Sequence, residues 1–168
     1  MITLRSLDLV EVISSREFPC RPWIGVGAVV INDDKVLMIK RGKPPSQGRW
    51  SLPGGAQKTG ETVGEAACRE VAEETGLKVQ IQGLIDVVDS ITRDGNGKIQ
   101  YHYTLIDLLA SPQSGEIVAG GDALAVKWFD DVDLGQVSIW SETKRIITLA
   151  KDMMKSCDTE RRMKESTA

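Results

Sequence analysis

The chain is short of several residue types, and each shortage narrows its chemistry. A single histidine, His102, stands in 168 residues, which removes most Ser-His-Asp schemes and most zinc-hydrolase ligand sets. The three cysteines, Cys20, Cys68 and Cys157, are widely spaced and form no C-x-x-C pair, so neither a disulfide framework nor a cysteine zinc site is supported. Cys68 lies in an alanine-rich helical stretch and reads as a small packing residue rather than a nucleophile. No apolar run has the length of a membrane span, and the opening MITLRSLDLVEVISS is broken by Arg5, Asp8 and Glu11 where a signal peptide needs uninterrupted apolar residues. The chain therefore reads as cytoplasmic, with no membrane partner. Positive charge is not in excess either: 21 Lys plus Arg against 24 Asp plus Glu give a net charge of −3, which argues against a general grip on a nucleic acid polymer and leaves room only for a local basic pocket. The chemistry must run on carboxylates.

Hydrophobic residues make up 41% and charged residues 27% of the chain, ordinary for a packed globular domain, and the length suits one domain with short appendages. We read residues 1–21 as an N-terminal segment, 22–155 as the domain and 156–168 as a flexible tail without apolar periodicity. The run WIGVGAVVI at 23–31, the turn Asn32-Asp33-Asp34 and KVLMIKR at 35–41 form a β-hairpin. GKPPSQGRW at 42–50 is a loop, and SLPGG at 51–55 a short extended piece. A helix is expected from Thr62 to about Thr75, stopped by Gly76. One or two strands follow over 78–91, then the turn Asp94-Gly95-Asn96-Gly97 and a strand over 98–110. Residues 111–122 are loop-like, 123–130 a strand, and Glu142–Lys155 an amphipathic helix. Strands around one central helix, with another helix closing the chain, predict an α+β sandwich around a mixed sheet. Ile2, Leu4, Leu7, Leu9, Val10 and Val12 fit a strand on the chain's own sheet or at a homodimer contact alike.

The densest chemistry is in GAQKTGETVGEAACREVAEETGL, residues 55–77. Glu70, Glu73 and Glu74 fall at i, i+3 and i+4, on one face of a helix, where their mutual repulsion is unfavourable unless a cation sits between them. Oxygen ligands alone select a hard ion, Mg²⁺ or Mn²⁺, and such ions are phosphate partners. The competing reading is a solvated acidic face with Arg69 paired to Glu73 at i+4.

This stretch resembles the signature of the Nudix hydrolases, G-x5-E-x7-R-E-U-x-E-E-x-G-U with U aliphatic, through Gly55, Glu61, Arg69, Glu70, Val71, Glu73, Glu74, Gly76 and Leu77. The hairpin WIGVGAVVINDDKVLMIKR, the lead-in GRWSLPGG and the late strand VKWF also look like elements of that family, so the likeness covers roughly residues 22–150. It implies an α/β/α sandwich whose signature loop and helix hold divalent cations against a substrate diphosphate. By the same likeness Glu73 and Glu74 ligate metal, Glu70 ligates metal or helps deprotonate the attacking water, and the main-chain carbonyl of Gly54 is a further ligand. Glu61 and Arg69 resemble the family's internal ion pair, which with Gly55 supports the site. The resemblance further implies an outer acid from another loop, since members of that family often recruit one; Asp122 and Glu116 are the candidates, and Asp122 is preferred because it stands just ahead of the strand carrying Trp128, where mutator-type members place an outer glutamate.

Among residues outside the signature, Arg41, Lys43 and Arg49 are placed to meet phosphates, against the alternative of a solvated basic loop. Tyr103, with Tyr101 and Trp50, is a candidate to stack on a base or else packs the core. His102 reads as an ordinary strand histidine. The wording of 98–110 and of GGDALAVKWF looks most like the short ADP-ribose pyrophosphatase branch, which yields AMP and ribose 5-phosphate from a small nucleotide substrate. The proline that many longer ADP-ribose enzymes carry downstream is replaced here by SITRDGNG, and the SQPWPFPxS pattern of NADH-cleaving members is missing. A mutator-type pyrophosphohydrolase, taking a nucleoside or deoxynucleoside triphosphate to the monophosphate and pyrophosphate, is the enzymatic alternative. A non-catalytic nucleotide sensor is the third reading, and the intact glutamate set argues against it.

Overall fold

A computed structural model describes residues 15–44 and 46–165, with side-chain surroundings described as far as Ser156. The apolar N-terminal residues considered above as a strand or dimer contact lie outside the described residues.

Strand β1 (Trp23–Asn32) turns through Asp33 and Asp34 into β2 (Lys35–Arg41). Both turn residues have positive φ, 47° and 61°, the two-residue hairpin geometry that aspartate tolerates and that matches strand twist. The expected hairpin forms, but its strands pair only at Ile31↔Val36 and Asn32↔Lys35 and then diverge to different neighbours. On one side β1 lies between β4 (Gly54–Ala56, antiparallel) and β6 (Ile99–Ser114, parallel), with β5 (Lys78–Arg93) antiparallel to β6. On the other, β2 lies between β3 (Trp50–Ser51) and β7 (Ala123–Phe129), both antiparallel. The strand order β3-β2-β1-β6-β5 is continuous, and the parallel β1–β6 pair among antiparallel ones makes the sheet mixed.

Both faces of the sheet are covered, which is why β1 reads as an uninterrupted apolar run. Val26, Ala28 and Val30 point to one face and pack with Ala66, Ala67 and Val71 of helix α1 (Val63–Thr75). Val29 and Ile31 point to the other and pack with Ile146, Ile147 and Ala150 of the long C-terminal helix. The fold is the expected α+β sandwich, helix–sheet–helix. Trp50 meets Phe129 edge-on in the second core, ring centroids 4.7 Å apart.

Helix α1 begins at a capping box: Thr62 Oγ1 accepts from the Glu65 N–H (3.2 Å), and the Glu65 carboxylate accepts from the Thr62 N–H (2.8 Å). It ends at Gly76, whose left-handed backbone (φ 75°) lets its N–H reach the Ala72 carbonyl. Three elements differ from the sequence reading. Strand β6 continues through Ser111 and Pro112 to Ser114, because those residues pair with Lys78–Gln80 across a register shift. A short helix α2 (Asp131–Gln136) follows β7, capped by the Asp130 carboxylate accepting from the Asp133 N–H (2.8 Å). Helix α3 runs Ser141–Glu165, ten residues beyond Lys155; the Glu, Arg and Lys of that extension are good helix formers that need no buried stripe.

Candidate active site

The site is built on the seam between β1, β4 and α1. Strand β4 lies against β1 with Gly54 opposite Gly27, Gly55 opposite Val26 and Ala56 opposite Gly25. Glycine is demanded twice. A Cβ at Gly54 would run into the Val26 carbonyl oxygen, and one at Gly55 would come within 2.5 Å of the Glu70 carboxyl carbon. The backbone of β4 is thereby pressed against the acidic face of α1.

Glu74 is the most enclosed of these acids, 6% exposed, and its carboxylate accepts from the Gly54 N–H at 2.9 Å. Burial pushes its carboxyl up to about 7, despite the Gly54 N–H and the nearby Arg41 charge; Glu70 and Asp122 add to the rise. Glu73, one residue earlier, is half exposed. Arg69 sits among the remaining acids. Its Nε and Nη2 grip Glu61 in a two-point pair (2.5 and 2.9 Å), Nη2 also donates to the Ala56 carbonyl (3.2 Å), and Nη1 donates to Glu70 (2.7 Å) and Glu73 (3.4 Å). Glu61 accepts further from the Lys58 N–H at 2.9 Å. These partners, Arg69 first, hold the Glu61 carboxyl down at about 2 and push the Arg69 guanidinium above its ordinary value. The arrangement ties loop 57–61 to α1 and β4 by charge-assisted bonds.

The acids open onto a cavity of about 470 Å³ whose lining includes Glu70, Glu73, Glu74, Arg41, Lys43 and Asp122. Asp122 arrives there through the backbone. The β6–β7 loop caps the C-terminus of α1, with Val118 N–H on the Thr75 carbonyl (2.9 Å) and Gly120 N–H on the Glu74 carbonyl (3.1 Å), and the Asp122 carbonyl accepts from Gly42 N–H (2.7 Å). The Asp122 carboxylate pairs with Lys43 Nζ at 2.5 Å.

Of the residues singled out from sequence, Gly54, Gly55, Arg41, Arg69, Glu70, Glu73, Glu74 and Asp122 line the cavity, and Glu61 braces it from behind. Arg49 and Tyr103, expected to contact substrate, are not on its wall. Tyr103 sits in β6 opposite Trp23 and Ser90, and the direction of a strand side chain is set by register, which the residue type does not reveal. Glu116 also lies off the wall. Arg16, Trp23, Lys58 and Thr59 line the cavity without having been singled out; Trp23 is masked in sequence by its place at the head of an apolar strand.

A divalent ion suits this donor set chemically, since every candidate ligand is an oxygen. Among the described residues no three acidic, histidine or cysteine side chains are gathered to hold an ion as they stand. As they stand, Glu70 and Glu73 are both paired with Nη1 of Arg69, and Glu74 with the Gly54 N–H.

The family model described as NUDIX domain matches residues 21–149, and the chain belongs to the Nudix hydrolase family, phosphoanhydride hydrolases that generally use divalent metal ions. It is 38% identical over 109 residues to an ADP-ribose pyrophosphatase of Methanocaldococcus jannaschii, a match covering 65% of this chain and 62% of that one. It is 36% identical over 112 residues to an 8-oxo-dGDP phosphatase of Mus musculus, covering 64% of this chain and 32% of that protein. The matched region thus spans under two thirds of either relative's length. Among solved structures, a MutT NUDIX hydrolase from Burkholderia pseudomallei superposes with a TM-score of 0.67 at 34% identity, over 77% of this chain and 98% of that one. No helix among the described residues is long and apolar enough to cross a membrane.

Proposed function

We propose that the protein is a Mg²⁺- or Mn²⁺-dependent pyrophosphohydrolase that splits ADP-ribose, or a similar diphosphate-linked nucleoside, into AMP and a sugar phosphate. The observation that carries this reading is the meeting of Glu70, Glu73 and Glu74 with Arg41 and Lys43 on the wall of one cavity: acids to hold cations, bases to meet phosphate oxygens. The relative named ADP-ribose pyrophosphatase supports the choice of substrate.

In this reading Glu73, Glu74, Glu70 and the Gly54 carbonyl hold the metal. When bound, the metal neutralises the diphosphate and makes its water more acidic. The chain's own residues do the rest. Arg41 and Lys43 orient the phosphate oxygens, Asp122 accepts the proton lost by the attacking water, and the oxygen–phosphorus bond to the leaving phosphate breaks as the new one forms. Arg69, held by Glu61, aims Glu70 and acts as a positioning residue.

The test is turnover of a panel of nucleoside diphosphate derivatives and triphosphates with Mg²⁺ or Mn²⁺, with products identified and H₂¹⁸O used to locate the phosphorus attacked. ADP-ribose yielding AMP and ribose 5-phosphate is expected, and abolition by EDTA with recovery on added metal. Absence of metal-dependent turnover on the whole panel refutes the reading. A second reading, a mutator-type triphosphate hydrolase, is supported by the 34% identity to the MutT structure over 98% of that chain; pyrophosphate as product would select it.

A further inference from the structure

Resting on the reading as a nucleotide pyrophosphohydrolase, we propose that the heterocyclic base of the substrate stacks on the indole of Trp23, with the Arg16 guanidinium beside it, at the end of the cavity away from the glutamates.

Trp23 is the sole aromatic side chain on the cavity wall among the described residues. It is half-buried yet belongs to neither packed core, unlike Trp50 and Trp128. A large indole left out of both cores on a concave wall is placed to meet a planar ligand. Its Nε1 donates to the Ser15 carbonyl at 3.2 Å, so the polar edge of the ring already has a partner. Arg16, the next residue, is exposed and holds its guanidinium carbon 5.9 Å from the ring centroid, within range of a cation–π contact. The segment carrying Arg16 is itself anchored. Phe18 N–H donates to the Gln100 carbonyl (2.8 Å), and the Gln100 side chain donates to Glu17 (2.7 Å).

Position supplies the scale. Trp23 precedes Gly27 by four residues on β1, and Gly27 faces Gly54 beside Glu74. Four strand residues span about 13 Å. That backbone span is of the scale of a ribose and a diphosphate, longer than a single phosphate. Stacking is tolerant of base identity because every base has a π-face, so this wall selects for the presence of a base and discriminates little among bases.

The experiment compares wild type with Trp23→Leu, Trp23→Phe and Arg16→Gln, reading kcat and KM and the inhibition constants of two probes, AMP and inorganic pyrophosphate. For Trp23→Leu, the KM of the nucleotide substrate and the inhibition constant of AMP should both rise about tenfold or more, with kcat within threefold and pyrophosphate inhibition unchanged. Trp23→Phe should recover most of the loss. Arg16→Gln, a surface change with no folding burden, should weaken AMP about threefold. Quenching of tryptophan fluorescence by AMP, lost in Trp23→Phe, reads the contact without turnover, so it stands apart from failure of the proposed hydrolysis. The proposal is overturned if Trp23→Leu leaves AMP inhibition unchanged, if AMP and pyrophosphate weaken together, or if AMP gives the same quenching with and without the indole.

Discussion

Replacing Gly55 by alanine tests how closely the site depends on the contact between β4 and α1. The added Cβ would stand 2.5 Å from the Glu70 carboxyl carbon and from Oε1, and 2.7 Å from Oε2, where ordinary contact begins near 3.4 Å. The carboxyl group must therefore retreat by about 0.9 Å, the difference between those distances. It has little freedom to do so, because Oε1 is held by Arg69 and Arg69 is held at two points by Glu61. A misplacement of about 1 Å costs a reaction about 100-fold, or about 2.7 kcal/mol of transition-state stabilisation. Overpacking alone costs about 1–3 kcal/mol of stability, and each kcal/mol lowers the Tm of a domain this size by about 2–4 °C. The assay is kcat at saturating substrate with Mg²⁺, beside a thermal melt. Gly55→Ala should lose about two orders of magnitude in kcat while remaining folded. The double variant Gly55→Ala with Glu70→Asp should regain stability, since the shorter side chain clears the methyl, without regaining activity, since the carboxylate is now withdrawn. A Gly55→Ala enzyme with kcat within threefold of wild type would refute the reasoning.

Glu74→Gln keeps an acceptor for the Gly54 N–H but removes the charge, so turnover should fall by two orders of magnitude or more while the melt is no lower than that of wild type; near-native turnover in Mg²⁺ would show that Glu74 holds no cation. Glu61→Gln strips Arg69 of its strongest partner, and stability and activity should decline together in melts and steady-state kinetics; activity lost at unchanged Tm would mean that Glu61 acts in the chemistry and not as a brace. Asp107, 6% exposed on β6, has its carboxyl raised from 3.8 to about 6 by burial, with Asp86 adding to the rise. The fold holds this proton more tightly than the unfolded chain does, so the associated stability is full below about pH 4 and lost as pH rises through 6. Asp107→Asn should therefore be more stable than wild type at pH 8, by up to about 3 kcal/mol, and equal to it at pH 4; urea unfolding curves whose difference does not vary with pH would contradict this.

How much of this was legible in the sequence depends on how local the signals are. Helix α1 announces itself through Thr62 and Gly76, and the spacing of Glu70, Glu73 and Glu74 declares its acidic face before any contact is known. The strand run of β1 is equally plain. That β1 and β2 should part company is not, because the residue pairing with Leu37 is Trp128, about ninety positions away, and nothing within 35–41 encodes it. The same limit explains the side chains. Nearness in sequence to the signature points to Arg49, and residue type to Tyr103, whereas membership of the cavity wall is decided by register and loop path. Asp122 was placed by its position ahead of β7, and the structure supplies what the sequence did not, a loop whose N–H groups cap the last carbonyls of α1 and so deliver that carboxylate to the wall.

The charges of the signature make a further argument that neither spacing nor packing makes alone. Five carboxylates, Glu61, Glu65, Glu70, Glu73 and Glu74, stand with two side-chain cations, Arg69 and Lys58, on the helix and its lead-in loop, leaving a formal surplus of three negative charges there. Arg69 takes Glu61 at two points and reaches Glu70 and Glu73 with its remaining nitrogen, while Glu74, the acid with the least water around it, has the Gly54 N–H and the nearby Arg41 charge. Burial raises the Glu74 carboxyl, and the charges of Glu70 and Asp122 add to the rise. A purely structural helix face would be relieved by an uncharged residue at position 74, at no expense to the Gly54 hydrogen bond. Glutamate there is intelligible when a doubly charged cation completes the balance, and this is why removal of charge at Glu74, more than at any other acid of the cluster, should separate loss of activity from loss of fold.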